Sequence, residues 1–403
     1  MIPRIRQVRI RNYKSIEHAV VDLEPFTALI GPNGAGKSNF LDALAFVQDA
    51  LSTSLDMAFK NRGGIGAVRR RSGGHPPNIA LRLSLDLGDD RAADYEFEIT
   101  AKPREQFRVA SERCAVGRFP EQEHVFEVQD GEFRQAIPGV RPKVRADRLA
   151  LAAASTTEEF GPVYDFLSSM RFYSIAPERL REWQEPDPGD FLHADGRNAA
   201  AVLRRLAEEV HSVENYKRLC RFLARVADGI EAVEYRAVGK RETLQFKQNI
   251  GLKHSGTFDA ASMSDGTLRL VGLLLAIFQP GAPSLVAIEE PAAMVYPAVA
   301  ELVVKALLDA ANERQILVAT HSPDILNCKE LTDAHIRVAA MERDGTAIAP
   351  VSLSNRQAIQ NHFYTPGQLL RSHEISPDLV AAREMIEQLD LFGKPNPDSG
   401  GTP

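Results

Sequence analysis

The chain has 403 residues, 44% of them hydrophobic and 25% charged. It can therefore bury one large core or two modest ones, which excludes wholesale disorder. A formal net charge of -6 excludes a protein that coats nucleic acid by bulk charge, although it leaves room for a local basic patch. Cys114, Cys220 and Cys328 lie far apart without CxxC spacing, which excludes a disulfide framework and a zinc ribbon and fits a reducing cytosol.

The first residues, Met-Ile-Pro-Arg-Ile-Arg, hold no apolar signal core. The longest apolar stretch, residues 270–278, is about half the ~20 residues that a membrane span needs. The expectation is a soluble, cytoplasmic protein with no membrane contact.

In chain order, residues 5–10 and 18–23 read as strands around the turn-like Asn12-Tyr13-Lys14-Ser15. Phe26 to Ile30 is a short apolar run that reads as a buried strand. It ends at Gly31, and a helix pattern begins at Lys37, with Phe40, Leu41, Leu44 and Val47 at helical spacing. Residues 61–78, rich in glycine and carrying Arg69-Arg70-Arg71, read as a loop. Leu81, Leu83, Leu85 and Leu87 alternate with polar partners, and residues 95–100 alternate again, as antiparallel strands with one solvated face do. Residues 101–150 read as further strands and loops.

From about Thr156 the pattern turns helical, over residues 158–170, 198–209 and 213–226, with a proline-rich acidic loop at 183–189. Residues 232–235 and 243–248 are strand-like, and α/β character returns over 262–340. The expected organisation is an N-terminal α/β lobe with a β-subdomain at 1–150, a helical insertion at 151–230, a C-terminal lobe at 231–391 and a loose tail at 392–403.

The chemistry concentrates in four motifs. Gly31-Pro32-Asn33-Gly34-Ala35-Gly36-Lys37-Ser38 satisfies G-x-x-x-x-G-K-[ST] between a buried strand and a helix. Its glycines allow successive backbone N–H groups to face phosphate oxygens, and the following helix start adds its positive dipole end. Lys37 supplies a point charge for the β- and γ-phosphates, and the Ser38 hydroxyl ligates Mg2+. The candidate cofactors are therefore ATP and Mg2+. Candidate contacts are Asn33, Gly34, Ala35, Gly36, Lys37, Ser38 and Asn39, with Lys14 from the preceding turn.

Ser284-Leu285-Val286-Ala287-Ile288-Glu289-Glu290 is a buried strand that delivers two carboxylates at its C-terminal end, where ligands sit in open α/β sheets. One can hold the metal and the other can orient or deprotonate a water. A third strand, Gln315-Ile316-Leu317-Val318-Ala319-Thr320, ends at His321, a residue able to reach the γ-phosphate or the attacking water. Ser264-Asp265-Gly266-Thr267 opens an apolar helix and reads either as an anion site or as a plain N-cap at Ser264.

Taken in order, these motifs resemble the ABC-type ATPase heads of the RecF, SMC and OLD-like group, over residues 1–50 and 260–330 above all. The turn Asn12-Tyr13-Lys14-Ser15 is similar to the turn that precedes the phosphate loop in that group. So are Arg171-Phe172-Tyr173-Ser174-Ile175-Ala176-Pro177 and Asp195-Gly196-Arg197-Asn198 to segments of its stand-alone bacterial ATPases. The resemblance implies an α/β P-loop fold of the ABC/SMC-head type, with a mixed sheet, an antiparallel β-subdomain and a helical insertion.

It also implies that Glu289 is the metal carboxylate, Glu290 the catalytic base and His321 the switch histidine. Ser264 and Gly266 are then the signature residues that contact the γ-phosphate held by a second copy. Two heads sandwich two ATP molecules, in DNA metabolism or anti-phage defence. Where relatives carry an acidic residue and a histidine after Glu-Glu-Pro, this chain has Ala292 and Tyr296, which puts turnover or its coupling to dimerisation in doubt.

Two partner classes follow. One is DNA, through Arg4, Arg6, Arg9, Arg11 and Arg69-Arg70-Arg71. The other is a separate effector, such as a nuclease or toxin, for which the chain is an ATP-dependent scaffold or sensor. After His321 the chain offers only Glu342-Arg343-Asp344-Gly345, without the acidic spacing of a Toprim nuclease, so cleavage would need a partner.

Overall fold

The computed structural model describes residues 2–71, 78–102, 105–118, 124–135, 148–227, 229–251, 255–293 and 296–388. The expected loose tail, parts of the 101–150 region and part of the 61–78 loop lie outside the described residues.

The chain opens with β1 (Arg4–Tyr13), β2 (Ile16–Asp22) and β3 (Phe26–Ile30), followed by α1 (Lys37–Ser52) and the short helices α2 (Leu55–Lys60) and α3 (Ile65–Val68). The last of these is a helical turn inside the segment expected to be loop. Next come β4 (Ile79–Gly88), β5 (Arg91–Lys102), β6 (Gln106–Arg118), β7 (His124–Gln129) and β8 (Glu132–Gln135). With β1 and β2 they form a seven-stranded antiparallel sheet in the order β2-β1-β4-β5-β6-β7-β8. Its inner face is the leucine ladder Leu81, Leu83, Leu85, fully buried, as the alternation requires.

The middle of the chain holds α4 (Ala150–Ala154), α5 (Gly161–Ser168), β9 (Arg171–Tyr173), α6 (Pro177–Arg181), α7 (Ala199–Glu208) and α8 (Val213–Val226). A three-stranded antiparallel sheet follows: β10 (Ile230–Val238), β11 (Arg241–Gln248) and β12 (Gly256–Asp259). The remainder is α9 (Asp265–Phe278), β13 (Leu285–Glu289), α10 (Pro297–Ala310), β14 (Gln315–Thr320), β15 (Ile336–Glu342), β16 (Gly345–Pro350), α11 (Leu353–Gln360), α12 (Pro366–Arg371) and α13 (Leu379–Gln388).

The central sheet runs β16-β15-β3-β14-β13-β9, parallel throughout except for the β15–β16 hairpin. Its strands are apolar on both faces, and neighbouring residues bury in different cores. Leu29, Leu285, Ala287, Leu317 and Ala319 join the core with α1 and the large antiparallel sheet. Ala28, Ile30, Val286, Ile288, Ile316 and Val318 join the core with α7, α9 and α10. Two layers therefore share one wall, as in a doubly covered parallel sheet.

This arrangement corrects the expected helical insertion at 151–230. Residues 171–173 are the edge strand of the central sheet, paired with β13, so the segment belongs to the ATPase fold itself. Leu149 to Met170 pack with the N-terminal core. Helices made the segment look separate because a strand of three residues is too short to show a period. Among the described residues, no helix is long and apolar enough to cross a membrane.

Candidate functional site

Strand register builds the site. β14 lies between β3 and β13, with Thr320 opposite Ile30 on one side and Ala319 opposite Glu289 on the other. The carboxyl ends of these strands therefore bring Gly31, Glu290 and His321 to one edge, where parallel α/β sheets take their ligands. A cavity of about 310 Å³ opens there. It is lined by Asn33, Gly34, Ala35, Gly36, Lys37, Ser38 and Asn39 from the loop, and by Glu289, Glu290, Ala319 and His321 opposite.

The loop has the conformation that phosphate recognition requires. Gly34 and Gly36 have φ of 81° and 94°, in the left-handed region that glycine adopts without strain. Gly36 is the N-cap of α1 and offers no side chain to cap it, so the first-turn amides remain available to an anion. Lys37 is buried, and its ammonium donates to the carbonyls of Gly31 at 2.7 Å and Pro32 at 3.0 Å. Burial pulls its pKa below the usual lysine value, against the opposing pull of Glu290 and Glu289. Ser38 is exposed at the mouth.

Opposite the loop, Glu290 is fixed at both oxygens. Its Oε2 accepts from Thr320 Oγ1 at 2.8 Å, while Oε1 accepts from the His321 backbone N–H at 3.0 Å and lies 2.6 Å from His321 Nδ1. Its own N–H donates to Ala319 O at 2.8 Å. These bonds hold Glu290 at a φ of 47°, left-handed backbone that costs a non-glycine residue about 1 kcal/mol and concentrates at functional sites. Thr320 was not singled out in the sequence, although it directly precedes His321.

Not every candidate residue is brought here. Lys14 does not line the cavity: its ammonium is 2.5 Å from Asp42 Oδ2, an acid that also takes Tyr13 OH at 2.7 Å and Arg62 Nε at 2.8 Å. Lys14 thus ties its turn to α1 and does not reach the loop's ligand side. Ser264 and Gly266 also lie outside this cavity. Ser264 caps α9 by accepting from Thr267 N at 3.2 Å, and Arg181 braces the same helix start through Met263 O at 3.0 Å and Asp265 Oδ1 at 2.5 Å. The capping role is therefore real.

Three of the basic residues considered for DNA are met by carboxylates. Arg4 pairs with Glu24 at 3.6 Å, Arg11 with Glu98 at 3.1 Å and Arg70 with Glu17 at 3.0 Å, while Arg9 is buried and donates to Gln7. Glu342-Arg343-Asp344-Gly345 is the turn of the β15–β16 hairpin. Ala292 is buried and Tyr296 is 76% exposed.

The donor set fits a nucleoside triphosphate with Mg2+. It offers glycine amides and one ammonium for phosphate, with a hydroxyl and carboxylates for a cation that keeps most of its ligands from phosphate and water.

The structure covers 88% of this chain and 99% of "Crystal structure of the SmcHead bound to the C-winged helix domain of ScpA", with a TM-score of 0.55 at 13% identity. A Pyrococcus furiosus Smc head with an extended coiled coil, bound to the C-terminal domain of ScpA, gives 0.54 at 12% identity, covering 90% of this chain and 100% of that one. At such identity the likeness concerns the fold alone.

In sequence, structural maintenance of chromosomes protein 1 of Schizosaccharomyces pombe is 29% identical over 118 residues, which is 27% of this chain and 10% of that protein. The Arabidopsis thaliana protein of the same name is 50% identical over 46 residues, 11% of this chain and 4% of that protein. The match thus spans a tenth or less of these relatives. Residues 26–327 match the family described as "AAA domain, putative AbiEii toxin, Type IV TA system". With three quarters of its length in that match and an SMC-head fold around its phosphate loop, the chain belongs to this family of AAA-domain ATPases.

Proposed function

We propose that the chain is a Mg2+-dependent ATPase head that closes on a second copy of itself when ATP is bound. The observation that carries the reading is the position of Glu290, clamped by Thr320 and His321 across one cavity from Lys37 and Ser38.

The loop amides and Lys37 bind the β- and γ-phosphates, and Ser38 and Glu289 hold the cation. When bound, Mg2+ neutralises charge that develops on the phosphates. Glu290 accepts the proton of the attacking water, and its clamp keeps it aimed while the proton moves. With Nδ1 engaged by Glu290, only His321 Nε2 is left to face the substrate. Ser264 and Gly266, outside the cavity of their own chain, meet the γ-phosphate of the partner copy, so each site is half of a composite one.

Phosphate release by wild type and Glu290→Gln, with and without duplex DNA, tests the reading. Release that Glu290→Gln abolishes supports it, and no release above buffer by wild type sinks it. Stimulation by DNA would point to a role in DNA metabolism.

A second reading has the chain as an ATP-dependent scaffold or sensor for a separate effector, a nuclease or toxin. It is favoured by Ala292 and Tyr296, which stand where relatives place an acid and a histidine. The solved heads bound to ScpA show that this fold can carry a protein partner. Tight ATP binding with negligible turnover would select it.

A further inference from the structure

Behind the phosphate loop, three distant segments meet through side-chain hydroxyls. Ser15, in the turn between β1 and β2, accepts from Asn39 Nδ2 at 2.6 Å. Its Oγ also lies 2.6 Å from Thr346 Oγ1 on β16, 331 positions along the chain. The Ser15 carbonyl accepts from the Thr346 N–H at 2.9 Å. With Asn39 donating to Ser15, the Ser15 hydroxyl keeps its own proton and can share it with Thr346.

The packing is as close as the bonding. Thr346 is 3% exposed, and a Cβ added to Gly36 would lie 2.0 Å from its Oγ1. Gly36 is the residue before Lys37, and Asn39 follows Ser38 and lines the nucleotide cavity. The same hairpin supports the loop's other end, where a Cβ on Gly31 would lie 2.2 Å from Ala339 O. Gly345 allows the approach: a Cβ there would lie 2.2 Å from Ser15 O.

We infer that Thr346, acting through Ser15 and against Gly36, is a positioning residue for the phosphate loop, so that the C-terminal hairpin sets how tightly the loop holds phosphate. The inference rests on the nucleotide reading above. Thr346 touches no ligand itself. Its hydroxyl seats Gly36 and, through Ser15, orients the first turn of α1, from which the phosphate-facing amides and the Ser38 hydroxyl project. A valine there keeps the shape but removes the hydroxyl that partners Ser15 in a half-buried site.

The test titrates wild type, Thr346→Val, Thr346→Ser and Ser15→Ala with a fluorescent ATP analogue and Mg2+, at a temperature where melting curves show each folded. Thr346→Val and Ser15→Ala are expected to weaken binding about tenfold, the double variant no further, and Thr346→Ser to keep wild-type affinity. In steady state the loss appears in KM, with kcat within about twofold.

A Val variant that binds as tightly as wild type overturns the inference, as does a loss that the Ser variant shares. If Thr346→Val fails to fold, Ser15→Ala decides alone, and wild-type affinity in that variant overturns it. A wild type that binds no nucleotide sinks the ATP reading and this one together; a binding wild type with an unaffected Val variant sinks only this one.

Discussion

Glu290 and His321 are joined twice, once through the histidine backbone N–H at 3.0 Å and once through Nδ1 at 2.6 Å. Each residue directly follows a strand, and the two strands are hydrogen-bonded neighbours in the central sheet. The acid and the histidine are therefore set by sheet register, and a change in either reaches the other. Glu290→Gln is expected to lower phosphate release about 10²- to 10⁴-fold while leaving ATP binding intact. In gel filtration the same variant should elute as a dimer only with ATP and Mg2+; an unchanged monomer peak counts against the composite site.

Thr320→Val removes the hydroxyl that holds Glu290 Oε2 and keeps the side-chain shape. A hydrogen bond to a charged group of this kind is worth about 1.5–3 kcal/mol. We expect kcat to fall at least about tenfold at unchanged KM. A fall in affinity with kcat preserved would show that Thr320 serves the loop and not the base.

Lys37→Met should abolish nucleotide binding without lowering the melting temperature. Burial depresses the pKa of this ammonium, so the unfolded chain binds its proton more tightly than the folded chain does. Holding the charge inside thus costs stability at neutral pH, and a neutral side chain removes that cost. Calorimetry without nucleotide measures it.

Glu112 is fully buried in the large antiparallel sheet, where it takes the N–H groups of Ala150 and Leu151 and the hydroxyl of Tyr95. Burial raises its pKa to about 7, against an ordinary 4.5, despite the opposing effect of those three bonds. Between those values the unfolded chain has lost the proton and the folded chain keeps it, so stability falls as pH rises through this window. Glu112→Gln should remove that slope. Urea unfolding at pH 5, 6, 7 and 8 should show the deficit of the variant shrinking towards pH 8, and a constant deficit would refute the assignment.

Ser264→Arg places a bulky cation at the start of α9, outside its own chain's cavity. ATP binding by the monomer should be unchanged and ATP-driven dimerisation lost, as analytical ultracentrifugation can show. Loss of monomer binding would place Ser264 in cis.

Much of the central sheet was legible because its strands are short, largely apolar and followed by chemistry-bearing residues: Ile30 before Gly31, Glu289 before Glu290, Thr320 before His321. The phosphate loop was readable from local spacing alone, since its cavity-lining groups come from consecutive residues. What was not legible depends on distance along the chain. Nothing near Thr346 marks it as a neighbour of Gly36, and nothing in Lys14 shows that Asp42 will claim it. β9 has too few residues to carry a period, so the strand that joins residues 171–173 to the core was hidden among helices. Arg4 and Arg11 of β1 read as candidate DNA contacts because their acids, Glu24 and Glu98, lie on other parts of the chain.

The place of β3 in the central sheet has a consequence for synthesis. The strand that launches the phosphate loop, β3, ends at Ile30, yet its two hydrogen-bonded neighbours, β14 and β15, lie far later in the chain, within residues 315–342. Until those strands are made, Phe26 to Ile30 has neither ladder partner. A nascent chain on the ribosome cannot assemble the site until β13 and β14 have been made as well. The first motif to be written is among the last to become a binding site.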